Sequence, residues 1–217
     1  MPKVNAWIVQ HLKDNLIFLL AILVLFASRS TLADWYIVPT GSMQPTIVEG
    51  DRILVNKMAY RIELPFTDIG LIDIATPQRG DIVVFNSKAA DTRLVKRVIG
   101  LPGDNIAMVD NQLVINGQVI TYQTNEDANA ISELLAEKSH AVQFIHREQV
   151  IDNFNTVTVP TDHYLVLGDN RNNSSDSRVI GFVPFSEIQG KAHRVLVSLD
   201  PENYYLPRTS RTLSPLI

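Results

Sequence analysis

The sequence predicts a mainly β protein of barrel or sandwich form, with a small inserted α+β module and one N-terminal transmembrane helix ahead of it. Three observations predict this. Short runs of aliphatic and β-branched residues recur between positions 52 and 197, bounded by Gly, Asp, Asn and Pro, with little helical periodicity between them. A chain of βαβ units would need that periodicity, so antiparallel sheets fit better. Asn116-Gly117 stands between two such runs and is the strongest short hairpin signal in the chain. One unbroken apolar run, Leu16 to Ala27, precedes everything else.

Residues 1–33 read as a membrane anchor. Lys3, His11, Lys13 and Asp14 lie ahead of the apolar run, and Arg29 follows it. The run is short against the ~20 residues a spanning helix needs. Continued to Leu32, with Lys13 and Arg29 reaching toward the interfaces, it becomes long enough. A cleaved leader, with Thr31 and Ala33 at −3 and −1 of the cut, and a buried soluble helix are the alternatives. Lys3 and Lys13 favour a cytoplasmic N-terminus.

The strands follow in order. Arg52–Lys57, Asp81–Phe85, Arg93–Ile99, Tyr164–Leu167 and Arg194–Val197 are apolar or alternating runs, assigned to a main β-domain over 34–104 and 161–200. Leu113–Ile115, Gln118–Ile120 and Thr156–Val159 fall in a smaller module, 105–160. There Asn125–His140 reads as a helix, with acidic residues leading, Ile131, Leu134 and Leu135 within, and Lys138 and His140 at the end. Residues 201–217, with Pro207 and Pro215, read as a surface tail.

Composition narrows the chemistry. A net charge of −4 and a pI near 5.7 argue against nucleic acid as a partner. The absence of cysteine removes disulfides, thiolate nucleophiles and cysteine-based zinc sites. No His-Glu-x-x-His pair and no phosphate-binding glycine loop occurs.

Three stretches remain. In Pro39–Thr46, two prolines and Gly41 constrain a turn around Ser42, a nucleophile candidate. Neither Gly-x-Ser-x-Gly nor Ser-x-x-Lys surrounds it, since Pro45 occupies the lysine's place. His163, beside Asp162, offers a base for a triad, but the five histidines are scattered. The other option is a lysine made neutral by apolar burial. Lys96 and Lys57, each on an apolar strand, compete for that role. The polar stretch Gly168–Arg178 reads as a solvated loop, as a metal loop lacking the closing EF-hand glutamate, or as a brace whose hydroxyls and Asp176/Arg178 pair hold a lysine.

Taken together, these stretches resemble the bacterial type I signal peptidases, membrane-anchored serine proteases with a Ser-Lys dyad. The blocks that carry the resemblance are Pro39–Thr46, Gly50-Asp51 through Lys57, Arg79–Phe85, Lys96–Asp104, and Gly168–Arg178 running into Gly181–Pro184. The resemblance implies Ser42 as nucleophile and Lys96 rather than Lys57 as general base. Thr40 would join the Ser42 N–H in the oxyanion hole. Ser174 would orient the lysine, with Asp176 and Arg178 as a supporting pair. Adjacency suggests Val38, Pro39, Met43, Leu94 and Val95 for the substrate pocket. The resemblance implies signal peptides of secreted pre-proteins as substrates, cut after small residues at −3 and −1, and requires no metal or cofactor. A lipid bilayer is the second partner, met by the anchor and by a rim of Trp35, Tyr36 and Ile37. The chain is expected as a monomer, single-pass in the bacterial inner membrane with its catalytic domain outside the cytoplasm. A specialised or self-cleaving Ser-Lys peptidase, or a β-domain without catalysis, is the alternative.

Overall fold

The computed structural model describes residues 8, 10–11, 13–64, 67, 69–125, 130–144 and 153–216. A helix, Leu16–Thr31, leads into β1 (Ala33–Ile37) and β2 (Asp51–Asn56). Then come β3 (Arg61–Glu63), β4 (Gly70–Asp73), β5 (Ile82–Ser87), β6 (Thr92–Gly100), β7 (Asn105–Val109), β8 (Gln112–Ile115) and β9 (Gln118–Val119). β10 (Tyr122–Asn125), β11 (Ala130–Leu135), β12 (Lys138–Val142), β13 (Phe154–Thr158) and β14 (His163–Leu167) follow. A short helix, Ser177–Ile180, precedes β15 (Val183–Pro184), β16 (Ile188–Asp200) and β17 (Leu206–Pro207). The mainly β class is as the sequence predicts.

The largest sheet runs β1-β2-β16-β5-β6-β14-β15, with β17 on the end of β16. Period-two alternation explains its inner strands. On β2, Asp51, Ile53 and Val55 are buried while Arg52 and Asn56 face out. β5 is covered on both faces. Ile82 and Val84 pack with Val38, Met43, Ile47, Ile53 and Val55, whereas Val83 and Phe85 pack with Tyr60, Val98, Tyr164, Val166 and Ile188. A third core, Ile99, Ile106, Met108, Leu113, Ile115, Leu135, Val159, Leu165 and Leu167, joins this sheet to two of the three smaller ones. Those are β13-β7-β8-β9 and β10-β11-β12. The expected Asn116-Gly117 hairpin is present: φ is 51° and 79° at the two residues, and Ile115 pairs with Gln118.

The helix expected over Asn125–His140 is not formed; those of its residues that are described belong to β10, β11 and β12 and to the turn between the last two. The reason is tertiary. Glu133 and Leu135 are buried and Leu134 is exposed, an alternation that the apparent helical spacing of Ile131, Leu134 and Leu135 hides. Ala136 and Glu137, with φ of 49° and 66°, make a two-residue turn that sets Leu135 opposite Lys138. Neither residue announces such a turn.

The N-terminal helix exposes Ile17, Phe18, Val24, Leu25 and Phe26. Among the described residues no helix is long and apolar enough to cross a membrane. Of the expected rim, Trp35 and Ile37 face outward, while Tyr36 turns in, packs on the core and carries the Arg93 guanidinium 4.3 Å from its ring centre. The C-terminal segment is strapped down rather than loose. Arg211 donates to Asp51 (2.7 Å) and to Thr46 O (2.9 Å), Arg208 donates to Glu49 O (2.9 Å), and Leu216 packs on the core.

Candidate active site

Ser42 lies in a 3-10 turn, Gly41–Met43, after the extended Thr40. Buried Met43 and Ile47 root the turn in the core beneath, and Ile47 N–H donates to Met43 O at 2.9 Å. The serine is left half-buried at the surface of that core.

Lys96 comes from β6, where it pairs with Val83 of the doubly covered β5. It is 1% exposed, and its Nζ lies 2.8 Å from Ser42 Oγ and 3.0 Å from Val95 O. Burial pushes its pKa down to about 8, with Arg178 adding to the effect and the charges of Asp176 and Asp169 opposing it. A lysine so tuned is neutral in a useful fraction of molecules near neutral pH. It can then accept the proton of the hydroxyl it touches.

Lys57 is elsewhere, 3.9 Å from Glu63. His163 Nδ1 meets Thr161 O at 2.8 Å, and His146 lies outside the described residues. The lysine that reaches Ser42 is therefore the one on β6.

The Gly168–Arg178 stretch closes the site. Leu167 pairs with Arg97, which carries Gly168 on toward Lys96. A Cβ on Gly168 would stand 2.3 Å from Ser174 Oγ and 2.4 Å from Ser42 O, so only glycine fits there. Asn170 donates its N–H to Ser42 O (3.1 Å) and its Nδ2 to Gly41 O (3.0 Å). Asp176 accepts from Gly168 N–H (3.0 Å) and from Arg178 Nε and Nη2 (2.8 and 2.7 Å). The expected Asp176–Arg178 pair is thus formed, and it holds the strand-to-loop junction. Ser174 Oγ is buried beside the Ser42 turn but makes no hydrogen bond among the described residues, so the expected lysine-orienting bond is not made here.

A cleft of about 360 Å³ opens at Ser42 and Lys96, lined also by Pro39, Thr40, Gly41, Glu49, Leu94, Asn173 and Ser175. Of the expected pocket residues, Pro39 and Leu94 line it. Val38 and Met43 are sealed in the core, and Val95 packs against that same core, so they stand behind the cleft wall. Thr40 is exposed at the cleft and makes no side-chain cap bond to the turn.

Sequence reasoning missed the Arg97–Asp169 pair, both residues 1% exposed, joined at 2.8 and 2.7 Å. Burial alone would raise the Asp169 pKa, but Arg97 and the Thr46 hydroxyl, 2.5 Å away, hold it below its ordinary value. Both residues stand in the quoted blocks, Arg97 beside Lys96 and Asp169 beside Gly168, and that adjacency was the available signal.

A serine hydroxyl met by a buried lysine of lowered pKa at a cleft is the arrangement that Ser-Lys hydrolases use. Comparison with known proteins shows the family. Residues 9–197 match the family model described as signal peptidase, peptidase S26. The chain is 36% identical over 214 residues to signal peptidase I of Pseudomonas aeruginosa, covering 89% of this chain and 75% of that one. It is 37% identical over 215 residues to signal peptidase I of Pseudomonas fluorescens, with the same coverage. A probable signal peptidase I-2 of Synechocystis is 32% identical over 197 residues, 88% of this chain and 73% of that one. A crystal structure of a signal peptidase I from Enterococcus faecalis is 33% identical, covering 55% of this chain and 98% of that one at a TM-score of 0.40. The chain belongs to the S26 signal peptidase family.

Proposed function

We propose that the chain is a serine endopeptidase that removes N-terminal signal peptides from exported pre-proteins with a Ser42–Lys96 dyad. The 2.8 Å approach of Lys96 Nζ to Ser42 Oγ carries this reading. Neutral Lys96 takes the Ser42 proton as Oγ attacks the carbonyl carbon of the −1 residue. The Ser42 N–H and the Thr40 hydroxyl receive the oxyanion, a role in which one donor is typically worth on the order of 10²–10³ in turnover. As the tetrahedral intermediate collapses, Lys96 returns the proton to the departing amine of the mature protein. Water, deprotonated by the same lysine, then frees Ser42 from the acyl-enzyme.

The cleft is small, and Pro39 and Leu94 on its wall favour short side chains such as alanine at −1 and −3, with Val38, Met43 and Val95 packed behind. The dyad needs neither metal nor cofactor. Asp176 and Arg178 hold the loop, and Ser174, with its Oγ buried beside the Ser42 turn and unbonded, is assigned the role of orienting Lys96.

We place the enzyme in the bacterial inner membrane, single-pass and monomeric, with the catalytic domain (34–104 and 161–200), the 105–160 insertion and the 201–217 tail outside the cytoplasm. The exposed apolar residues over 16–26 support an anchor in residues 1–33, and Trp35 and Ile37 add exposed apolar side chains on β1. Tethering would raise the local concentration of membrane-borne substrates.

Cleavage of a purified pre-protein by the detergent-solubilised protein tests the reading, with product N-termini sequenced. Wild type and Lys57→Ala should cut after a small residue, and Ser42→Ala and Lys96→Ala should not. Loss of cutting in Lys57→Ala alone, or retention in Ser42→Ala, would overturn it.

A further inference from the structure

The β10–β12 sheet reaches the Ser42 turn through one buried polar cluster. Glu133 and Arg171 are sealed from solvent, and two guanidinium nitrogens, Nη2 and Nη1, grip Glu133 Oε1 and Oε2 at 2.7 Å each. Tyr122 OH donates to Glu133 Oε2 at 2.5 Å and accepts from Arg171 Nη1 at 3.2 Å. His140 Nε2 stands 3.4 Å from Glu133 and 3.9 Å from Asp169. Burial, aided by Arg97, lowers its pKa to about 4 against those two carboxylates, so the imidazole adds no charge to the cluster.

Arg171 passes this restraint on through its backbone. Its N–H donates to Gln143 O at 2.9 Å, and Gln143 N–H donates to Asp169 O at 2.8 Å, so the chain just past β12 grips the start of the loop. Its carbonyl accepts from Arg178 Nη2, and its neighbour Asn170 holds both Ser42 O and Gly41 O. One side chain thus ties a separate sheet to both the serine turn and the Asp176–Arg178 pair.

A buried ion pair is a poor way to gain stability, because apolar residues of the same volume do as well or better. A bidentate fork does supply direction, fixing the guanidinium plane and with it the backbone it hangs from. We propose that Glu133 and Tyr122 are positioning residues: from outside the main sheet they lock Arg171, which sets the Ser42 turn and the loop that shields Lys96 from water. The inference rests on the dyad reading given above.

The test uses the full chain in detergent: wild type, Glu133→Gln, Tyr122→Phe, and Ser42→Ala as blank. Turnover per folded molecule is measured against pH on a pre-protein. The Lys96 side chain is titrated by NMR as a readout independent of activity. Glu133→Gln should lower kcat on the order of 10–10²-fold with little change in KM, as a misplaced reacting group does. Tyr122→Phe, which keeps the ion pair, should lower it by less. In both, the acidic limb and the Lys96 titration should move up toward the ordinary lysine range, ~10.4, as water gains access.

A role confined to stability would lower the folded fraction and leave the limb, the titration and the kcat of folded molecules unchanged. That result overturns the proposal. Should Glu133→Gln fail to fold, Tyr122→Phe decides by the same criteria. A wild type that leaves pre-protein uncut refutes the dyad reading instead, and the Lys96 titration alone then judges the clasp.

Discussion

Arg97 and Asp169 form a doubly hydrogen-bonded ion pair with no solvent access, one residue along from Lys96 on the one side and from Gly168 on the other. Arg97 also donates to Gly80 O at 2.9 Å, and Thr46 donates to Asp169, so four segments meet there. Removing one partner leaves an uncompensated buried charge. Arg97→Ala or Asp169→Ala should each cost about 3–5 kcal/mol of stability, measured by denaturant unfolding. An Arg97→Met/Asp169→Leu double variant should recover most of that loss.

The pH dependence follows from Lys96. With its pKa lowered to about 8, cleavage should rise through an acidic limb centred near pH 8, well below ordinary lysine. The same shift has a stability consequence with a definite sign. Below about pH 8 the lysine is protonated in both states, and burying that charge destabilises the fold in full. Between there and ~10.4 the unfolded chain holds the proton and the folded one does not, so stability climbs with pH. Lys96→Met should therefore be inactive yet raise Tm at pH 7, its advantage shrinking as pH rises. A constant advantage across pH would contradict the assigned shift.

Gly168→Ala should injure turnover more than folding. Its methyl would press on Ser174 Oγ and on the Ser42 carbonyl, and the serine turn must yield. Steady-state assay should give a fall in kcat on the order of 10²-fold, the usual effect of a displacement near 1 Å. KM should move less.

The C-terminal strap is expected to matter although it touches no reacting atom. Arg211→Ala would deprive buried Asp51 of its cation and Thr46 O of a donor, in the segment that follows Ser42. A loss of about 1–3 kcal/mol is expected from one unsatisfied buried acceptor, read as a lower unfolding midpoint. Truncation after Asp200 should cost more, because Leu216 leaves the core as well.

What was legible in the sequence is what local pattern or ordered blocks encode. β2, β5 and β6 alternate or run apolar, and Asn116-Gly117 dictates its own turn. Ser42 stood out through its prolines, but only the resemblance chose Lys96 over Lys57, because both end or interrupt apolar strands. The β10–β12 sheet was invisible because its turn uses Ala136 and Glu137, and its register depends on a glutamate whose partner lies 38 positions away. Glu49 at the cleft was equally hidden, since nothing local marks a surface residue as facing a cavity; Asn173 and Ser175 lay in the Gly168–Arg178 stretch that stood out, but their facing the cleft was not legible.

β5 separates two cores, and its register sets Val83 against Lys96. Opening that strand would uncover both cores at once, so its amides, and those of β6 beside it, should exchange with deuterium only on global unfolding. The proposed base is thus mounted where the chain has least freedom. Any give needed to thread an extended polypeptide past the dyad must come from the opposite bank, the serine turn and the Gly168–Arg178 loop. Their restraints are separate contacts, among them the Asn170 Nδ2 bond to Gly41 O and the Asp176 bond to Gly168 N–H, rather than a continuous strand ladder.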